Sequence, residues 1–189
     1  MGRWVLLFAA AAALYAVCCG AYYVGFFNDD AFYLIGAKSL LSGRYAELQA
    51  PGAPPLMNYL PGWPILLAPV VALSRGNLEA LQAYAVFLHV AALGLLASII
   101  EREDGSDIAD VTLAAFAVSP LIASTAATLL ADGPMLFCAA AVLAALPGLW
   151  PRRDSRTWLV LGLALGLSAL VRPTGLALAA AVALTLLRE

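Results

Sequence analysis

Residues 4–27 read WVLLFAAAAALYAVCCGAYYVGFF and carry no charge, and Asn28-Asp29-Asp30-Ala31-Phe32-Tyr33 follows directly. The first stretch is long enough to cross a bilayer, because a spanning helix takes about 20 apolar residues. Asp29 and Asp30 then lie together at the membrane surface, where two adjacent negative charges repel one another and are costly to desolvate. This pattern indicates a functional site, although acids beside a helix end are about equally often solvated loop residues.

The composition is that of a polytopic membrane protein, with 63% hydrophobic and only 12% charged residues. The charges cluster between apolar runs, which is typical of successive spans joined by polar loops. A net charge of −2 without any basic run excludes nucleic acid as a partner. The first apolar run is too long for a cleaved signal peptide, so an uncleaved helix is predicted there.

Four segments come close to the length of a span or exceed it: Trp4–Phe27, Ala80–Ile100, Val111–Ala131 and Gly133–Trp150. Thr157–Leu187 is apolar except for Arg172, and Pro173 predicts a break there, so this segment reads as two shorter passes that meet near Arg172. The predicted fold is therefore an all-α bundle of about five to six transmembrane spans. Residues 1–189 form a single transmembrane module in this interpretation.

A long loop, Asn28–Glu79, separates the first two predicted spans. Within it, Ala31–Leu41 is predicted to form a helix along the membrane interface. Trp63–Leu73 contains two prolines and is too short to span, so it is predicted as an interfacial or re-entrant element.

The basic residues indicate which side of the membrane this loop occupies. If the spans alternate, one side carries Arg3, Arg102, Arg152, Arg153, Arg156 and Arg188, and the other carries Lys38, Arg44, Arg75 and Arg172. The positive-inside rule makes the first side cytoplasmic. The loop Asn28–Glu79, Asp132 and Arg172 are then predicted to face outward.

Three further polar residues lie among apolar segments. Asp132 precedes Gly133-Pro134 and suits a helix N-cap, a functional residue, or both. An unpaired Arg172 would be expensive, so it needs a carboxylate, helix-end carbonyls or a lipid headgroup, unless it snorkels to the surface. His89 is more often a structural hydrogen-bonding residue than a catalytic one. The three cysteines, Cys18, Cys19 and Cys138, show no metal-ligand spacing and read as packing residues.

Four sequence elements together resemble the membrane glycosyltransferases of the GT-C superfamily. The elements are Asp29–Gly43, Tyr59–Pro69, Ser119–Phe137 and Gly162–Gly175, and they follow one another in the family's order. The resemblance is to protein mannosyltransferases and aminoarabinose transferases of the glycosyltransferase family 39 type. The sequence departs from the usual pattern at Asp30, Leu60 and Gly133, where Glu, Pro and Ala are commoner. Family members are usually longer, so the chain is expected to be the N-terminal part of a larger protein.

The resemblance implies an inverting transfer of sugar from a polyprenyl phosphate to a protein, lipid or glycan acceptor, outside a bacterial plasma membrane. Asp29, Asp30 and Asp132 are the expected catalytic acids, with Asp29 as the base that takes the acceptor's proton. Arg172, and second Lys38, are expected to contact the donor phosphate. No full metal-ligand set is visible, and a divalent cation at the paired acids stays open.

Two other interpretations compete with this one. A transporter or assembly subunit would use Asp132, Arg172 and His89 as a polar path across the bilayer. A shortened remnant that only packs against a partner is the third interpretation.

Overall fold

The computed structural model describes residues 2–19, 23–146 and 155–187. Within these ranges every regular element is an α-helix, and the connecting segments are turns and loops with one isolated antiparallel bridge, between Ala46 and Pro55. The helices are α1 (Gly2–Cys18), α2 (Asp29–Leu41), α3 (Gly62–Ser74), α4 (Leu78–Asp104), α5 (Ser106–Ala117), α6 (Pro120–Ala126), α7 (Asp132–Ala145), α8 (Ser155–Val171) and α9 (Thr174–Leu187). The all-α prediction is confirmed.

Several predicted segments coincide with these helices. The interfacial helix predicted from Ala31 begins two residues earlier as α2, and the proline-containing piece Trp63–Leu73 forms α3. Helix α4 contains the predicted span Ala80–Ile100 and begins where the Asn77 side chain accepts a hydrogen bond from the backbone N–H of Ala80. The break predicted near Arg172 separates α8 from α9.

The prediction of one uninterrupted helix over Val111–Ala131 was wrong. Helices α5 and α6 are bent by 63° relative to one another, and residues 127–131 are not helical. The cause is Pro120 at the start of α6, since the residue before a proline is disfavoured in the helical conformation. Ser119 accordingly has an extended backbone, with φ −63° and ψ 122°.

The first and fourth predicted spans are shorter as helices than expected. Helix α1 ends at Cys18, and residues 23–27 form turns. Helix α7 ends at Ala145. The remaining parts of these two predictions, residues 20–22 and 147–150, lie outside the described residues. So do Arg152, Arg153 and Arg188, on which part of the predicted topology rests.

Among the described helices, α4 alone has the length and apolar composition to cross a membrane by itself. The bent pair α5 and α6 meets the same criterion when the two are taken together. Five further described helices are apolar but have only 10–17 residues: α1, α3, α7, α8 and α9.

Among the described residues, the largest buried cluster of apolar side chains lies where the start of α3 meets the end of α8. Trp63, at the start of α3, is fully buried together with Leu67 and Leu81. Val171, at the end of α8, belongs to the same cluster. A Cβ atom at Gly62 would collide with the backbone of Leu170 and Val171, so the glycine permits α3 to approach α8 closely. This contact fixes the end of α8 beside the start of α3.

Candidate active site

Asp29 is the first residue of α2, and its half-buried carboxylate is held by a residue from a distant loop. The hydroxyl of Tyr59 donates a hydrogen bond to Asp29 Oδ1 at 3.0 Å. The Tyr59 ring stacks on the ring of Phe32, with centroids 4.7 Å apart and planes within 12°. Because Phe32 lies about one helical turn after Asp29, the phenol covers the same face of α2 that carries the carboxylate.

The turn that leads into Asp29 has an unusual backbone. Asn28 has φ 62° and ψ −54°, and the N–H of Asp29 donates to the carbonyl of Phe27 at 2.7 Å. This is a γ-turn of the rare, strained kind. Strained backbone of this type costs about 1–3 kcal/mol and concentrates at functional sites. The turn directs Asp29 onto the first position of α2.

Asp30 faces the interior instead of the surface. It is 2% exposed, and its oxygens accept hydrogen bonds from the backbone N–H groups of Gly25 and Ala31, each at 2.9 Å. The carboxylate thereby ties the preceding turn to the start of α2. These contacts favour a structural role for Asp30 over the catalytic role expected from the sequence.

Asp132 and Arg172 form an ion pair between two helix ends. Asp132 is the first residue of α7, and Arg172 lies in the break between α8 and α9. The guanidinium binds both carboxylate oxygens, with Nη1 at 2.8 Å from Oδ1 and Nη2 at 3.1 Å from Oδ2. About a third of each side chain remains exposed, so the pair lies at an accessible surface.

Tyr33 links this ion pair to Asp29. It lies one turn along α2 from Asp29, is buried, and contacts the ring of Tyr59 edge-on at 5.5 Å. Burial, then the charge of Asp29, raises the pKa of the Tyr33 phenol, while the charge of Arg172 offsets part of this rise. The nearby charge of Asp132 acts in the raising direction. Tyr33 also packs in the same buried cluster as Ala131 and Val171, the residues that precede Asp132 and Arg172, so both carboxylates and the guanidinium lie at the same end of the bundle.

Two buried side chains hold the non-helical segment that precedes Asp132. The indole N–H of Trp63 donates to the carbonyl of Leu129 at 2.8 Å, and the Gln82 amide donates to the carbonyl of Ala127 at 3.2 Å. These carbonyls lie outside helices and would otherwise be buried without partners. Trp63 and Gln82 thus set where Asp132 begins α7.

The remaining candidates lie elsewhere. Lys38 is exposed in the last turn of α2, nine residues from Asp29, which corresponds to about 13 Å along the helix. His89 is buried in α4, where its ring hydrogen-bonds the carbonyl of Ala85 at 3.0 Å and lies against Gly133. Cys138 is buried, and Cys18 and Cys19 are partly buried, all as free thiols.

A metal site built from at least three His, Cys, Asp or Glu side chains does not occur within the described ranges. The paired acids offer few free oxygen ligands for a divalent cation, because both carboxylate oxygens of Asp30 accept hydrogen bonds from backbone N–H groups.

Four residues of this site were not singled out from the sequence: Tyr33, Tyr59, Trp63 and Gln82. The two tyrosines stand within the motifs that carry the family resemblance, but the motifs alone do not indicate which group each phenol contacts. Gln82 gave a weak signal, as a polar residue near the start of an apolar helix.

Comparison with protein-family models matches residues 54–189 to the family described as dolichyl-phosphate-mannose-protein mannosyltransferase. The match covers more than two thirds of the chain and includes Tyr59, Asp132 and Arg172, whereas Asp29 precedes it. No curated protein and no solved structure matches the chain significantly. The chain belongs to the dolichyl-phosphate-mannose-protein mannosyltransferase family, a family of membrane glycosyltransferases of the GT-C type.

Proposed function

We propose that this protein transfers a sugar from a polyprenyl-phosphate donor to a hydroxyl or amine acceptor at the external face of the membrane. The observation that carries the proposal is the placement of Asp29 and the Asp132–Arg172 pair around Tyr33. Two carboxylates and a guanidinium from three separate parts of the sequence thus lie near one another, as a base and a phosphate-binding group must.

The proposed reaction assigns Asp29 as the general base. Oδ1 is engaged by Tyr59, which leaves Oδ2 to accept the proton of the acceptor. As this proton leaves, the acceptor oxygen or nitrogen bonds to the anomeric carbon from the face opposite the phosphate. The bond between the anomeric carbon and the phosphate oxygen breaks with inversion, and the lipid phosphate departs as an anion. A positioned base of this kind contributes about 10²–10⁴-fold to the rate.

Arg172 is the proposed contact for the donor phosphate. Its guanidinium has five N–H donors, of which the contacts to Asp132 use two and a hydrogen bond to Tyr33 uses another. The partly exposed remainder can bind phosphate oxygens and stabilise the charge that develops on the leaving group. Asp132 fixes the plane of the guanidinium, so its proposed contribution acts through Arg172. Lys38 lies at the opposite end of α2 from Asp29, so the proposal assigns the phosphate contact to Arg172 alone.

The arrangement of the site also fits a lipid-linked donor. Exposed apolar side chains surround the helices, and the polar groups collect at helix ends, where a sugar on a membrane-embedded carrier would emerge. The external orientation rests on the distribution of arginines along the sequence.

The test is sugar transfer by membranes that contain the full-length protein, with radiolabelled polyprenyl-phosphate mannose as the donor. Asp29→Asn should lower transfer by about 10²–10⁴-fold. Glu79→Gln neutralises an exposed acid in the first turn of α4 and should leave transfer within about twofold of wild type. Both proteins should retain the wild-type melting temperature. If well-folded Asp29→Asn protein keeps more than half of the transfer, Asp29 is not the base.

A further inference from the structure

Tyr59 makes three contacts that fix its position above Asp29. Its ring is stacked on Phe32 and meets Tyr33 edge-on. Its backbone carbonyl accepts a hydrogen bond from the hydroxyl of Tyr45 at 2.9 Å. The phenol is thus held by its ring and by its backbone, and the hydroxyl is left to bond a single partner, Asp29 Oδ1.

The hydroxyl of Tyr59 acts as a donor throughout the physiological pH range. Burial, then the hydrogen bond to Asp29 and the charge of that carboxylate, raises the pKa of Tyr59 to about 12. An ionised phenol would repel the carboxylate, so Tyr59 cannot serve as the base beside Asp29. Its proton therefore stays on the phenol and points to the carboxylate.

Asp29 is constrained from its other side as well, by the strained γ-turn at Asn28. The turn sets the backbone of Asp29, whereas the aspartate side chain could still rotate about its own bonds. A hydrogen bond to Oδ1 removes this freedom and leaves Oδ2 in one direction. The backbone strain and the phenol contact thus restrict two different degrees of freedom of one carboxylate.

We infer that Tyr59 is a positioning residue for sugar transfer, which holds Oδ1 of Asp29 so that Oδ2 is aimed at the incoming acceptor. This inference rests on the proposed function of Asp29 as the base. It predicts a loss in turnover rather than in donor binding, because the donor phosphate is bound at Arg172 and not at Tyr59. Misorientation of a reacting group by about 1 Å can cost about a hundredfold in rate.

The experiment compares Tyr59→Phe with Tyr23→Phe in the full-length protein. Tyr59→Phe removes one hydroxyl and keeps the ring that stacks on Phe32. Tyr23 is exposed in the turn before α2, so Tyr23→Phe removes a phenol hydroxyl outside the site. Steady-state transfer from polyprenyl-phosphate mannose gives kcat and the donor KM, and donor-binding stoichiometry corrects kcat for the fraction of folded protein.

For Tyr59→Phe, the corrected kcat should fall by about ten- to a hundredfold, with the donor KM within about twofold of wild type. Tyr23→Phe should match wild type in both constants. A corrected kcat equal to wild type would overturn the positioning role, and so would a loss confined to the donor KM. Asp29→Asn in the same assay separates the two proposals. If Asp29→Asn stays active, Asp29 is not the base. If Asp29→Asn is inactive and Tyr59→Phe is fully active, only the positioning role of Tyr59 is refuted.

Discussion

The ion pair between Asp132 and Arg172 makes a quantitative prediction with two separable readouts. The perturbation is a double-mutant cycle of Asp132→Asn, Arg172→Gln and the combined variant. Asp132→Asn removes the charge and keeps the shape of the side chain, and Arg172→Gln removes the charge and leaves a shorter polar side chain. The cycle therefore isolates the coupling between the two side chains from the cost of each change alone.

The expected coupling follows from the geometry of the pair. The two N···O contacts of 2.8 and 3.1 Å are bidentate, which is the strongest arrangement for arginine and a carboxylate. Both side chains are more than a third exposed, so water and salt screen the attraction. Exposed pairs contribute about 0.2–1 kcal/mol, and the bidentate geometry places this one near the upper end, at about 1 kcal/mol. For a chain of this size, that amounts to about 2–4 °C in melting temperature.

Donor affinity should respond to the two substitutions unequally. Arg172→Gln removes a cation from the proposed phosphate contact, and charged hydrogen bonds contribute about 1.5–3 kcal/mol, so the Kd for polyprenyl-phosphate mannose should rise by at least about tenfold. Asp132→Asn removes a negative charge from the neighbourhood of the phosphate and leaves the guanidinium in place, so it should not weaken donor binding comparably. Melting temperature and donor Kd are measured on the same purified proteins.

Two results would refute this reasoning. A coupling below about 0.3 kcal/mol would show that the observed contact does not stabilise the protein. Donor Kd values that equal the wild-type value in both single variants, together with lowered melting temperatures, would leave a structural ion pair and remove Arg172 from donor binding.

Two further predictions concern the structural role of Asp30 and the membrane orientation. Asp30→Asn should lower the free energy of unfolding by about 1–3 kcal/mol, because it weakens the buried acceptor of the N–H groups of Gly25 and Ala31. Thermal unfolding should show this loss whatever the effect on sugar transfer, and an unchanged melting temperature would contradict the structural role. In a variant without native cysteines, an impermeant thiol reagent added outside should label a cysteine at Ser42 and not one at Ser155, and the reverse labelling would invert the proposed topology.

The positions of the helices could be predicted from the sequence to the extent that local signals mark them. Apolar length located α4, and Pro173 located the break between α8 and α9. The same rule applied to Pro120 would have predicted the bend between α5 and α6. The apolar residues around that proline read as one continuous span, since hydropathy reports burial and does not report backbone continuity.

The candidate site was less predictable, because its contacts join residues far apart in the chain. The sequence drew attention to Asp29, Asp132 and Arg172 as charges between apolar segments, and the structure places them near one another. The sequence could not distinguish Asp29 from Asp30. Adjacent residues point about 100° apart around a helix, and the sequence does not show which of the two directions faces the core. That angle turns Asp30 into the core and leaves Asp29 facing Tyr59.

The length of the loop between α2 and α3 is explained by the need to return Tyr59 to Asp29. The chain leaves α2 at its far end, and a short hairpin brings Leu56 back against the middle of the helix at Gly36, where an added Cβ would meet Leu56 at 3.2 Å. From Gly36 to Asp29 is seven helical residues, or about 10 Å. The three residues from Leu56 to Tyr59, which include bends at Asn58 and Tyr59, can span at most about 10 Å. The segment is therefore just long enough to bring the phenol to the carboxylate, and deleting one residue between Leu56 and Tyr59 would shorten its reach by about 3 Å.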